Sequence, residues 1–200
     1  MYNRWYAVLQ AFIWVFMKIF HPWQATGLEN LPEGGVMMCG NHTTIGDPFY
    51  VVCSLGFKKQ THIMAKNELM EIPVLGWLLK KSGIIGVRRG EADVKAIKEC
   101  MKHLKDGRRL LLFPEGTRVR EGEESHAHTG AAMLATRTGV PLLPIYIQPE
   151  KKLFRKVKVV FGEPYYPRFE GRKPTPEEYQ KIADDLMDRI RALGGTVSCK

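Results

Sequence analysis

The sequence predicts a single α/β domain with a mostly parallel central sheet flanked by helices, preceded by an N-terminal helix at a membrane interface. After residue 35, short apolar runs bounded by glycine, proline or charge alternate with longer helical runs, the pattern of buried parallel strands joined by helices. The 200 residues are 44% hydrophobic and 26% charged, as expected for a globular chain with a sizeable core. The first 20 residues are different, because they are strongly apolar and aromatic.

This N-terminal run covers residues 5–20 and is interrupted only by Gln10 and Lys18. It is shorter than the roughly 20 residues that a helix needs to cross a bilayer. No small-residue cleavage site of a secretory signal follows it. Tryptophan and tyrosine favour the lipid headgroup region, and basic side chains suit anionic lipid. We therefore expect residues 1–24 to form a membrane-interface segment and residues 25–200 to form the domain, with a first helix packed onto the core as the alternative.

The elements of the domain follow from its periodicity and its boundary residues. Buried strands are predicted at 36–39, 62–65, 84–87, 110–113, 142–147 and 157–161. Helices are predicted at 72–81, 91–105, 131–138 and 175–192, and another runs to Leu55 with Asp47 as its N-cap. The last helix begins with Thr175, Pro176 and two glutamates, which suit a cap, the first helical position and the positive helix end.

A histidine and an aspartate five positions apart, His42 and Asp47, are the most informative pair in the chain. A histidine oriented by a carboxylate can remove a proton from an alcohol near neutral pH, so His42 is a candidate general base. In one unbroken helix the two side chains would point about 140° apart. Gly46 permits the bend that would bring them together, and Pro48 suits the first helical turn. The alternative is that Asp47 only caps a helix and His42 is a polar loop residue.

Three further segments carry polar or stiffening residues next to apolar runs. Residues 113–118 place an acid, a glycine, a hydroxyl and a guanidinium at a predicted strand end, where ligands of α/β sheets bind. The planar guanidinium of arginine suits phosphate binding. The alternative is that this segment is only a turn that ends the strand and carries a surface ion pair. Residues 83–89 form a strand pattern ending in two arginines, and prolines 141 and 144 stiffen another apolar segment.

The formal charge of +9 implies an anionic partner: nucleic acid, an anionic membrane or a phosphorylated substrate. A basic cluster with an interleaved aromatic residue, at 151–158, fits either nucleic acid or anionic lipid. The four cysteines are scattered without zinc-ligand spacing, which favours small buried residues in a reducing compartment over metal ligands.

Taken together, these segments resemble the glycerolipid acyltransferase family over about residues 25–165. The blocks that carry the resemblance stand in the family's order: Asn41-His42 through Asp47, Gly83 through Arg89, Phe113 through Arg118, and Val140-Pro141 with Pro144. The His-to-Asp spacing combined with the later Pro-Glu-Gly-Thr-Arg sequence is highly specific. It favours the catalytic interpretation of His42 and Asp47 over the capping one.

The resemblance implies transfer of a fatty acyl group from an acyl thioester, carried by coenzyme A or acyl carrier protein, to the free hydroxyl of lysophosphatidic acid, giving phosphatidic acid in phospholipid synthesis. Another lysophospholipid or lipid acceptor is the alternative, and a non-catalytic lipid- or nucleic-acid-binding domain is less favoured. No cofactor, metal or nucleic acid partner is expected. The expected partners are a membrane lipid acceptor, the acyl donor and an anionic membrane surface. The expected location is the cytoplasmic face of the cell membrane, in a monotopic or peripheral form.

The resemblance also assigns site residues. His42 and Asp47 would be catalytic, and Pro141 would shape the acyl or donor site. Acceptor binding is assigned to Lys66, Arg89, Glu115, Gly116, Thr117 and Arg118. Departures from the family pattern at Gly86, Val119 and His128 leave the acceptor headgroup open.

Overall fold

Seven strands form one sheet in the part of the chain that the structure describes, which is residues 3–57, 60–88, 93–118 and 127–198 of a computed structural model. In chain order they are β1 (Trp23–Thr26), β2 (Val36–Gly40), β3 (Thr61–Lys66), β4 (Ile85–Val87), β5 (Arg109–Leu112), β6 (Leu142–Ile147) and β7 (Val157–Phe161). The order across the sheet is β1-β7-β6-β2-β5-β3-β4. Neighbouring strands are parallel, except that β7 runs antiparallel to β6.

The helices connect these strands and cover both faces of the sheet. They are α1 (Arg4–Phe20), α2 (Asp47–Leu55), α3 (Leu75–Lys81), α4 (Val94–Lys105), α5 (Gly130–Thr138) and α6 (Pro176–Ser198). Short 3-10 turns lie at Leu28–Asn30 and Asn67–Met70. The predicted α/β class with a mostly parallel sheet is confirmed.

The two-residue period of the strands builds two hydrophobic cores, one on each face. In β2, Met37 and Cys39 pack with buried residues of α4, α5 and α6, whereas Val36 and Met38 pack with those of α1 and α2. All five residues of β2 are buried. This explains why the central strands read as continuous apolar runs instead of alternating ones.

Several boundaries differ from the predicted ones. The helix predicted at 72–81 begins at Leu75, the one predicted at 91–105 is described from Val94, and the last helix extends to Ser198. Asp47 was expected to be the N-cap, but Gly46 holds that position and Asp47 is the first residue of α2. The reason is that the Asp47 carboxylate turns back to the amides before the helix instead of capping the amides within it. Strand β1 was not predicted.

Helix α1 combines the two interpretations of the N-terminal run. One stripe, which includes Tyr6, Gln10 and Met17, is buried, and the Gln10 amide donates hydrogen bonds to the carbonyls of Val52 and Gly56. The opposite stripe exposes large apolar side chains, namely Trp5, Val8, Phe12, Val15, Phe16 and Ile19. Strand β1 crosses the expected division at residue 24 and pairs with β7. None of the described helices is both long and apolar enough to span a bilayer.

Candidate active site

Three parallel strands deliver the candidate site residues to one edge of the sheet. His42 follows the end of β2, the segment from Phe113 follows β5, and Lys66 ends β3. Loops after the carboxyl ends of parallel strands are the usual ligand site of open α/β sheets. Asn41 fixes the start of the β2 loop, because its side chain exchanges two 2.8 Å hydrogen bonds with the backbone of Ile147 at the end of β6.

His42 and Asp47 are in direct contact. The Nδ1 atom of His42 lies 3.0 Å from Oδ2 of Asp47, across the bend formed by the intervening loop. The ring of His42 stacks on Phe113 with the centroids 4.3 Å apart and the planes inclined at 22°. The described residues give the other ring nitrogen, Nε2, no hydrogen bond. With Nδ1 donating to the carboxylate, Nε2 carries the lone pair that accepts a proton.

Asp47 is fully buried, with 0% of its side chain exposed. Its Oδ2 atom accepts hydrogen bonds from the backbone amides of Thr43 and Thr44, both at 2.7 Å, and Oδ1 accepts one from the Thr44 hydroxyl at 3.0 Å. Burial raises the pKa of this carboxyl, but the hydrogen bond from His42, the charge and hydrogen bond of Lys151 and the Thr44 amide together hold the pKa below its ordinary value. Asp47 is therefore ionised at neutral pH.

The segment after β5 holds the backbone of the loop that carries His42. Glu115 accepts a 2.6 Å hydrogen bond from the backbone N of His42 through Oε2. Gly116 adopts a positive φ of 67°, and a Cβ atom there would lie 2.6 Å from the ring of His128. Glycine is therefore the residue that suits this turn, since other side chains would be strained and would clash.

Lys151 is a site residue that sequence reasoning missed. Its Nζ atom lies 2.8 Å from Oδ1 of Asp47 and 2.7 Å from the hydroxyl of Thr43. The sequence placed Lys151 in a surface cluster, whereas its side chain is only 7% exposed. Its position four residues after a predicted strand was the one available signal, because β6 ends at the same sheet edge as β2.

Some of the other predicted site residues lie at the same edge of the sheet as His42, and others do not. Thr117 and Arg118 are exposed on the segment after β5. Lys66 is half-exposed at the end of β3 and forms a 2.8 Å ion pair with Glu68. Arg89 lies outside the described residues.

Pro141 precedes β6 at the opposite edge of the sheet, where its carbonyl accepts a hydrogen bond from the backbone N of Met37. The structure therefore does not bring Pro141 to His42.

The described cysteines do not supply a nucleophile. Cys39, Cys53 and Cys100 are buried free thiols. Burial raises the pKa of Cys39 above its usual range and the pKa values of Cys53 and Cys100 to about 12, so these thiols stay protonated. Among the residues that the structure describes, no group of three or more His, Cys, Asp or Glu side chains is placed to hold a metal ion. The arrangement instead suits direct activation of an alcohol by a histidine base.

Comparison with known proteins agrees with this chemistry. A sequence model of the acyltransferase family matches residues 23–148. A chloroplastic 1-acyl-sn-glycerol-3-phosphate acyltransferase of Brassica napus is 30% identical, over 92% of this chain and 57% of its own length. A 1-acyl-sn-glycerol-3-phosphate acyltransferase of Borreliella burgdorferi is 34% identical, over 82% of this chain and 68% of its own length.

A solved structure is similar over nearly the whole chain. The crystal structure of the 1-acyl-sn-glycerophosphate (LPA) acyltransferase PlsC from Thermotoga maritima aligns with a TM-score of 0.70 and 25% identity, over 98% of this chain and 82% of that one. The present chain spans little more than half the length of the Brassica relative. Since the family model matches more than half of its residues, the chain belongs to the acyltransferase family.

Proposed function

We propose that this protein transfers a fatty acyl group from an acyl thioester to the free hydroxyl of lysophosphatidic acid. The observation that carries the proposal is the His42–Asp47 pair at the ligand-binding edge of the sheet. A buried, ionised carboxylate orients an imidazole whose Nε2 atom forms no hydrogen bond with the described residues. We infer the acceptor from the similar proteins, which are named as acyltransferases of 1-acyl-sn-glycerol 3-phosphate. Acyl-coenzyme A and acyl carrier protein are both candidate donors.

The chemistry requires one proton transfer and one displacement. Nε2 of His42 takes the proton of the acceptor hydroxyl while its oxygen attacks the thioester carbonyl. The ionised Asp47 stabilises the imidazolium that forms. Collapse of the tetrahedral intermediate breaks the carbon–sulfur bond, and the imidazolium returns its proton to the departing thiolate. The reaction forms one ester and one thiol and needs no acyl-enzyme.

Acceptor recognition is assigned to the groups around this edge. Arg118 and Lys66 would bind the phosphate, because both are exposed cations that follow or end strands at the same edge of the sheet as His42. Arg89 is retained in this role from the sequence. Gly116 and Thr117 would shape the turn next to the acceptor. Glu115 would help to bind the acceptor while its carboxylate accepts the hydrogen bond from the His42 backbone.

Membrane docking is assigned to the exposed stripe of α1, since the acceptor resides in a bilayer. The end of α1 continues into a second exposed apolar site, where the Phe20 ring lies 5.9 Å from that of Phe154. The exposed cations Arg155 and Lys156 follow it and suit anionic lipid. We place this surface on the cytoplasmic face of the membrane, where thioester donors are available.

Purified full-length protein in detergent micelles tests the proposal. It is incubated with radiolabelled lysophosphatidate, lysophosphatidylglycerol or lysophosphatidylethanolamine, each with acyl-coenzyme A and with acyl carrier protein charged with the same chain. We expect lysophosphatidate to be converted fastest, and His42→Ala to abolish turnover without lowering the thermal unfolding temperature by more than a few degrees. Faster conversion of another lysophospholipid would reassign the acceptor. No transfer with any pair would overturn the proposed activity.

A further inference from the structure

The ammonium group of Lys151 forms a third layer behind the His42–Asp47 pair. It makes hydrogen bonds to Oδ1 of Asp47 at 2.8 Å, to the hydroxyl of Thr43 at 2.7 Å and to the carbonyl of Pro149 at 3.3 Å. An ammonium group has three donors, and these three acceptors engage all of them. Lys151 therefore has no donor left for a substrate phosphate, which distinguishes it from the exposed cations of the acceptor site.

The position of the charge gives it an electrostatic role. The two carboxylate oxygens of Asp47 contact different partners: Oδ2 contacts the imidazole of His42, and Oδ1 contacts the ammonium group of Lys151. Both charged side chains of this ion pair are almost wholly buried, so water screens their interaction weakly. A cation behind the carboxylate offsets part of the attraction that Asp47 exerts on a proton at His42.

We propose that Lys151 is a positioning residue that locks the Asp47 carboxylate and weakens the attraction of this carboxylate for a proton on His42. The proposal rests on the acyl-transfer function assigned to the His42–Asp47 pair. Without Lys151, Asp47 would be a buried carboxylate with only dipoles to compensate its charge, and the neighbouring imidazole would hold a proton more tightly. A histidine that is already protonated cannot act as the base.

Other ionisable groups around the pair do not replace this cation. Tyr50 on α2 stays neutral, because burial, followed by the charge of Asp47, raises its pKa to about 12. Glu115, after β5, is an acid and is bonded to the backbone of His42. Among the described residues, Lys151 is the one lysine or arginine that forms an ion pair with Asp47.

The pH dependence of kcat/KM tests this role in detergent-dispersed full-length protein. Lys151→Met and Lys151→Gln remove the charge, and the glutamine can still donate a hydrogen bond to Asp47. Both are expected to move the acidic limb of the profile upward by about one pH unit and to lower kcat at neutral pH by about tenfold or more, with acceptor KM changed by less than about twofold. Lys151→Arg keeps the charge and should leave the limb in place even where its size lowers kcat.

Lys152→Met is the matched control, because Lys152 is the next residue but forms an exposed ion pair with Glu150. Its profile should superimpose on that of the wild type. Thermal unfolding of every variant distinguishes a loss of folded structure from a change in the pH dependence of kcat/KM. Lys151→Gln replaces the methionine variant if the latter does not fold. An unchanged acidic limb in folded Lys151→Gln would overturn the proposal while leaving acyl transfer intact. A wild type without transferase activity would overturn the proposed function and the role of Lys151 with it.

Discussion

The backbone N of His42 donates a 2.6 Å hydrogen bond to the Oε2 atom of Glu115, and this contact joins the loop after β2 to the loop after β5. These two residues lie 73 positions apart in the chain but belong to neighbouring parallel strands. The contact fixes the main chain on one side of the imidazole, while Asp47 fixes the ring itself. It therefore gives Glu115 a positioning role that can be separated from direct binding of the acceptor.

The first prediction separates these two roles by comparing Glu115→Gln with Glu115→Ala. The glutamine carbonyl can still accept the hydrogen bond from His42, so we expect kcat/KM to fall by less than about tenfold. Alanine has no atom that can accept this hydrogen bond, so kcat/KM of the alanine variant should fall by about 100-fold. Steady-state kinetics with saturating donor provide the measurement. An equal and large loss in both variants would show instead that the negative charge itself is required.

The second prediction concerns Arg118, which is assigned to the acceptor phosphate. Arg118→Ala removes a charge-assisted hydrogen bond worth roughly 1.5–3 kcal/mol, so the acceptor KM should rise by about 10- to 100-fold while the donor KM changes little. Arg191→Ala is the matched control, because Arg191 is an exposed arginine on α6 that pairs with Asp188. A rise confined to donor KM would reassign Arg118 to the thioester carrier.

The third prediction concerns folding stability at low pH. His62 is 4% exposed at the start of β3, and its ring stacks on His103 with the centroids 3.8 Å apart. Burial lowers the pKa of His62 to about 4, and the charges of His103 and Arg108 add to this, although the carbonyl of Gly83 and the charge of Glu99 oppose it. The unfolded chain therefore binds a proton on His62 near pH 6.5, and the folded chain binds it only near pH 4.

The stability that neutral His62 provides is present above pH 6.5 and is lost as the pH falls towards 4. Between pH 7 and 5 the loss should be about 2 kcal/mol of the free energy of unfolding. His62→Gln removes this titration and should shrink the loss by most of that amount. Urea unfolding of both proteins at pH 7 and pH 5 measures the difference, and parallel losses in the two proteins would contradict the assigned cause.

Local sequence signals account for much of this fold, and long-range contacts account for what they missed. The strands predicted at 142–147 and 157–161 have the observed bounds, because apolar runs ended by glycine, proline or charge leave little choice. Strand β1 was missed because its four residues alternate between partly buried and exposed, and its partner β7 lies more than a hundred positions away.

The candidate site shows the same limit. Gly46 was expected to permit the bend between His42 and Asp47 through unusual backbone angles, but its φ is an ordinary −79°, so the bend does not use the conformational freedom of glycine. The contact between His42 and Asp47 was itself predictable, because the two residues lie five positions apart with Pro48 in the first turn of the next helix. Lys151 was not, because its burial depends on Thr43, which lies 108 positions away in the sequence. A local reading of a lysine among other basic residues favours a solvated surface.

The last prediction concerns membrane docking by α1. From sequence alone, deletion of residues 1–20 is expected to release a stable domain, but the structure buries Tyr6 and Met17 of α1 in the core. We therefore expect this deletion to lower stability and to be a poor test of docking. Serine substitutions on the exposed stripe avoid the problem, since Val8, Phe12 and Ile19 are 63%, 75% and 56% exposed.

We expect the triple variant Val8→Ser, Phe12→Ser and Ile19→Ser to keep the unfolding temperature of the wild type within a few degrees. Its partitioning to vesicles of phosphatidylcholine with phosphatidylglycerol should weaken by on the order of 100-fold, because three apolar side chains no longer enter the interface. Flotation at low and high salt measures this, and the residual binding should be more sensitive to salt than that of the wild type because the basic surface then supplies a larger share of it. Val94→Ser, at an exposed apolar position on α4 across the sheet, is the control that should float like the wild type. Unchanged flotation of a folded triple variant at high salt would remove α1 from the docking surface.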